Sequence, residues 1–66
     1  MRIILNGTPH EVPDQLTVTL LVEHLQLPAP TLLIEVNEIA LRKSEWTDHV
    51  LKPDDRIEFV RIAAGG

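Results

Sequence analysis

Apolar positions along the chain follow two periods. Near the start, "RIIL" (residues 2–5) is a short β-branched run closed by Asn6-Gly7, a dipeptide suited to the two-residue hairpin turn. "TPHEVP" (8–13) then predicts a short return strand. Pro9 and Pro13 mark its limits and point to a sheet edge, because proline cannot donate to a ladder. The period next changes. Val18, Leu21, Val22 and Leu25 stand at i, i+3, i+4 and i+7, the spacing of one helix face. Thr17 is placed to cap that helix, although Leu20 stands where a capping box carries Glu or Gln. Pro28 and Pro30 end it. "TLLIEVNE" (31–38) returns to period two, with Leu32, Ile34 and Val36 on one face and Leu33 and Glu35 on the other. Asn37-Glu38 turns the chain, since Asn tolerates positive φ. "IALR" (39–42) predicts a short fourth strand, and "KSEWTDHVL" (43–51) an irregular or briefly helical segment. "KPDD" (52–55) reads as a type I turn with Pro53 second. "RIEFVRI" (56–62) is the last strand and "AAGG" (63–66) a tail.

The predicted order is β-β-α-β-β-β, with a hairpin at each end of one good helix. Its economical packing is an α+β fold: a mixed four- to five-stranded sheet with the helix across one face. Residues 1–62 form a single domain and 63–66 a flexible tail. A chain of 66 residues buries only about 60% of its unfolded surface. That leaves little room for a deep pocket and favours a module that acts with a partner.

The alternation also says what the helix leaves bare. Ile57 and Phe59 share a parity and face the helix, together with Ile3 and Leu5. Ile4, Leu33, Val60 and Ile62 then fall on the opposite face, with Glu58 among them. Central strands are often apolar on both sides, which is one explanation. With a single helix available, the other is an exposed apolar patch used for docking. Glu35 and Glu58 either rim that patch and meet basic residues of a partner, or form a solvated face.

Composition narrows the chemistry. There are no cysteines, so disulfides, thiolate metal sites and a cysteine nucleophile are excluded. Ten acidic residues stand against six basic ones. The basic residues are scattered, with only Arg42-Lys43 adjacent, unlike the clustered charge that tracks phosphates. Nucleic acid is not an expected partner; a positively charged protein surface is. No apolar run approaches the ~20 residues of a membrane helix, and "MRIILNGT" lacks a secretory pattern; the expected location is cytoplasmic. His10, His24 and His49 have no metal-ligand spacing. No nucleophile–base set or glycine-rich phosphate loop is recognisable. Trp46 is either a core lid over the sheet or an interface anchor. Asp54 and Asp55 fit a turn better than acid–base work.

Three stretches resemble one family. "VNEIALRKSEW" is similar to a Val-Asn followed by an Arg-x-x-Trp-like segment, here Val36-Asn37 and Arg42 or Lys43 before Trp46. "LKPDDRIEFV" resembles a Leu-x-x-Gly-Asp-x-Ile-Glu turn and strand, and "AAGG" a Gly-Gly end. Together they resemble the ubiquitin-like, β-grasp sulfur carriers, above all those of thiamine thiazole synthesis. Two positions depart from the pattern: Asp54 stands at the usual Gly, and Leu41 replaces a common Pro.

The resemblance implies a carried substrate and not an enzyme. The Gly66 carboxylate would be adenylated by a ubiquitin-activating-like adenylyltransferase using ATP and converted to a thiocarboxylate. A sulfur donor such as a cysteine desulfurase would supply the sulfur, and thiazole synthase would receive it. No cofactor would be bound to the carrier itself, which is expected to be a monomer when free. Gly65 and Gly66 have no Cβ and Ala63 and Ala64 are slender, so the tail suits a narrow channel. Extended, residues 63–66 span at most about 13–14 Å. Two alternatives stand beside this reading: a molybdopterin-synthesis sulfur carrier, and a β-grasp binding module whose terminus is not activated.

Overall fold

The computed structural model describes residues 1–61. Its strands are β1 (Arg2–Leu5), β2 (Thr8–Glu11), β3 (Leu32–Val36), β4 (Ile39–Leu41) and β5 (Arg56–Arg61). Helix α1 spans Val18–His24, a 3-10 turn Ala29–Thr31, and helix α2 Lys43–Trp46. The five strands form one mixed sheet in the order β2-β1-β5-β3-β4. β1 and β5 run parallel at its centre; the other neighbours are antiparallel.

Local chemistry explains most boundaries. Asn6 (φ 46°) and Gly7 (φ 83°) both adopt positive φ, as a type I′ hairpin turn requires, and bring β2 back to the edge expected from Pro9. Asn37 (φ 50°) and Glu38 (φ 70°) do the same between β3 and β4. The Thr17 hydroxyl accepts the Leu20 N–H at 3.2 Å and caps α1. The helix stops before its prolines. Gln26 takes φ 55°, its N–H meets the Glu23 carbonyl, and the Leu27 N–H meets the Val22 carbonyl, each at 3.1 Å. That is a Schellman end with Gln at the left-handed position. Pro28 and Pro30 instead start and occupy the 3-10 turn. "KSEW" is the briefly helical option: Glu45 reaches back from α2 to accept the Arg42 N–H at 2.7 Å. The 52–55 turn differs from expectation. Asp54, its third residue, has φ 68°, and the Asp55 N–H bonds the Lys52 carbonyl at 3.1 Å. Positive φ at that position makes it type II, which accounts for glycine at this place in the resembling pattern.

The core lies between α1 and one sheet face. Val18, Leu21 and Val22 meet Ile3, Leu5, Leu32, Ile34, Val36 and Ile57, all buried, with Phe59 partly buried against them. Trp46 is 5% exposed, which decides for a core position over an interface anchor. The segment after α2 is tied to the start of α1 through Val18 N–H to the His49 carbonyl at 3.0 Å and Leu51 N–H to the Leu16 carbonyl at 2.8 Å.

Candidate functional site

Because partners across a ladder share a face, the registers map the sheet side that α1 leaves uncovered. It carries Ile4 opposite Arg56, Leu33 opposite Val60, and Glu35 opposite Glu58. Ala40 flanks Glu35 from β4. Along β5 toward the tail this face reads Arg56, Glu58, Val60. The apolar pair therefore sits at the tail end, with two carboxylates one step behind. Leu33 is 52% and Val60 50% exposed, and Ile4 is half-buried. Leu33 and Val60 are brought together, whereas Ile4 shares their face but lies level with Arg56, four residues back along β5, and does not join them. Ile62, Ala64, Gly65 and Gly66 lie outside the described residues.

Glu35 and Glu58 are like charges set directly across a strand pair, an arrangement that destabilises a sheet. Among the described residues neither is in an ion pair; the pairs there join the N-terminal ammonium to Glu11 and Asp14, and Arg2 to Asp54. Among the described residues Ile39 is the most exposed large apolar side chain, at 66%. It pairs with Val36 at the β4 edge, beyond the cover of the helix, and was not singled out in the sequence.

Two asparagines do more than turn the chain. Asn6 Oδ1 accepts the Phe59 N–H at 2.9 Å. Asn37 Oδ1 accepts the Arg56 N–H at 3.0 Å, and its own N–H donates to the Arg56 carbonyl at 2.7 Å. Asp55 accepts from Asn37 Nδ2 at 3.0 Å and from the Lys52 N–H at 2.8 Å. Asp54 Oδ1 accepts from Arg2 Nε and Nη2 at 3.0 and 2.8 Å. Both aspartates thus serve the turn. Their sequence signal was the turn itself; the partners of the asparagines gave none.

His10 lies on β2, His24 ends α1 and His49 follows α2. Among the described residues no three His, Asp or Glu side chains gather as a metal site, and no helix is long and apolar enough to cross a membrane.

A five-stranded β-grasp sheet whose last strand leads into Gly65-Gly66 matches a known family. The ThiS family model covers residues 3–66. The chain belongs to the ThiS family. Proteins of this family are small sulfur carriers that work with partner enzymes in thiamine biosynthesis and are not themselves catalysts. A crystal structure of the thiamine biosynthesis protein ThiS from Geobacter metallireducens superposes with a TM-score of 0.90 at 29% identity, over 100% of both chains. An NMR solution structure of a thiamine biosynthesis protein from the same organism gives 0.83 at 29% identity, over 100% of this chain and 88% of the other. No curated protein matches the chain. As a ThiS-family member it is a sulfur carrier, and the β-grasp architecture expected from its strand order is the one observed.

Proposed function

We propose that this chain carries sulfur for thiamine thiazole synthesis, with its chemistry on the α-carboxylate of Gly66. The observation that carries the reading is the family match, which runs through residue 66 and so includes Gly65-Gly66. Likeness to one thiamine biosynthesis protein, seen in both a crystal and a solution structure, supports the pathway.

A carboxylate is a poor electrophile, so it must first be activated. A partner adenylyltransferase of the ubiquitin-activating type brings ATP. A Gly66 carboxylate oxygen bonds the α-phosphorus, and pyrophosphate leaves. The outer sulfur of a donor persulfide, such as a cysteine desulfurase carries, then bonds the Gly66 carbonyl carbon and AMP leaves. A thiol of a partner attacks the donor's sulfur in the acyl disulfide so formed, breaking the S–S bond and leaving a disulfide on the donor side. The resulting thiocarboxylate is a nucleophile that delivers sulfur to thiazole synthase. ATP belongs to the partner, and the carrier binds no cofactor of its own. The cytoplasm is the compartment proposed for this reaction.

The chain's own part is presentation. Leu33, Val60 and Ile62 form the docking patch, with Ile4 further back on the same sheet face and Glu58 and Glu35 meeting basic groups of the partner. Ala64 and Gly65 keep the tail slender enough for the backbone to enter a channel. The test is intact mass after incubation with ATP, adenylyltransferase and a sulfur source. An oxygen-to-sulfur gain mapped to Gly66 is expected. No gain, with a known carrier modified in the same mixture, would sink the proposal in favour of a binding module.

A further inference from the structure

We propose that Asn6 is a positioning residue for this transfer chemistry: its side-chain carbonyl holds β5 at Phe59, so the strand reaches the tail from a fixed place. The functional half of this inference rests on the carrier reading; the structural half does not.

The argument starts from the parallel ladder of β1 and β5. In such a ladder a residue of one strand donates its N–H to one residue opposite and accepts an N–H from the residue two further along. The Ile4 N–H donates to the Asp55 carbonyl at 2.9 Å, and the Asn6 N–H to the Ile57 carbonyl at 2.9 Å. The next regular rung would join the Phe59 N–H to the main-chain carbonyl of Asn6. β1 has already ended at Leu5, and Asn6 takes φ 46° to begin the turn. Its Oδ1 accepts the Phe59 N–H instead, at 2.9 Å. The side-chain amide thus supplies the rung that the turn removes from the backbone.

That rung sits where β5 loses its neighbour. β1 pairs with β5 only at Ile4↔Arg56 and Leu5↔Ile57, whereas β3 pairs through Leu32↔Arg61. From Glu58 onward the described strand has a paired strand on one side alone, and Asn6 holds the other. A partner that grips the end of β5 must order whatever fluctuates there, and ordering lowers affinity. Asn37 is the internal comparison. It accepts the Arg56 N–H in the same way, but at the opposite end of β5.

Asn6 meets two separate demands, positive φ and a carbonyl acceptor. Glycine satisfies only the first; aspartate keeps the acceptor. Asn6→Gly, Asn6→Asp and Asn37→Gly therefore separate turn from rung. The readouts are hydrogen exchange at single amides, and KM and kcat for the carrier in adenylation by its adenylyltransferase with ATP. In Asn6→Gly the Phe59 amide should exchange faster, and KM should rise about 3- to 10-fold, the ratio expected for one lost hydrogen bond, with kcat unchanged. Asn6→Asp should restore both. Asn37→Gly should speed exchange at Arg56 and leave KM alone, a split that general loosening of the fold would not produce. The positioning role is overturned by a wild-type KM in Asn6→Gly, by no rescue in Asn6→Asp, or by an Asn6→Gly chain that does not fold. Absence of adenylation in the wild type would remove the carrier reading, and the positioning role with it. Exchange at Phe59 would still decide whether the rung exists.

Discussion

Glu35 and Glu58 offer a quantitative test of how the exposed sheet face is built. They are opposed across β3 and β5, which sets their Cβ atoms about 4.5–5.5 Å apart. Two carboxylates at about 6 Å, in an effective dielectric of about 40–80, repel by roughly 0.7–1.4 kcal/mol. A Debye length of about 8 Å at physiological salt reduces this to about 0.3–0.7 kcal/mol. Glu35→Gln is the cleaner perturbation, because Glu58 shares its strand face with Arg56 and would lose that attraction as well. Glu35→Gln should therefore stabilise the free protein and raise the thermal midpoint by about 1–5 °C. The assay is thermal unfolding followed by circular dichroism at 0.15 M and 1 M salt. At 1 M the Debye length is about 3 Å, and the gain should fall to about 0.1–0.2 kcal/mol. In the double variant with Glu58→Gln the two effects should be less than additive, since removing either carboxylate relieves the same repulsion. No gain, a gain untouched by salt, or strict additivity would refute the reasoning. Under the docking proposal the same substitution weakens association with a basic partner surface. Opposite signs in stability and binding would mark a face kept under strain for recognition.

Other outcomes follow from local geometry. Gln26 is exposed at φ 55°, so Gln26→Gly should stabilise by about 0.5–1 kcal/mol. Gln26→Ala should not, because alanine meets the same left-handed penalty; denaturant midpoints of the three proteins compare them. Under the channel proposal, Gly65→Val should leave the thermal midpoint unchanged and abolish adenylation, since a branched side chain would not pass where glycine does. Normal turnover of that variant, measured by pyrophosphate release, would remove the channel argument.

Much of the fold was legible because its signals are local. Asn6-Gly7 needs only its own φ preferences to make a turn. Thr17 caps a helix that begins at the next residue. The alternation at Leu32, Ile34 and Val36 assigns a buried face whatever the neighbouring strand. The type of the Lys52–Asp55 turn is not legible locally, because Pro53 is compatible with types I and II alike. Only the observed φ of Asp54 separates them. The end of α1 gives no local signal ahead of its prolines, because Gln is not the usual residue for a left-handed helix end.

The sequence by itself determined most elements, the two faces of each strand and the Gly-Gly end by which the chain resembles the sulfur carriers. It did so because periodicity and turn chemistry act within a few residues. Only the tertiary structure decided which strands adjoin. It set β5 between β1 and β3, opposed Glu35 to Glu58, left Ile39 beyond the cover of the helix, and brought Asn6 to Phe59 across 53 positions of chain. Those relations follow from closing one core over the whole domain, where a register is chosen by the burial of many side chains together. No residue carries that choice in its own neighbourhood.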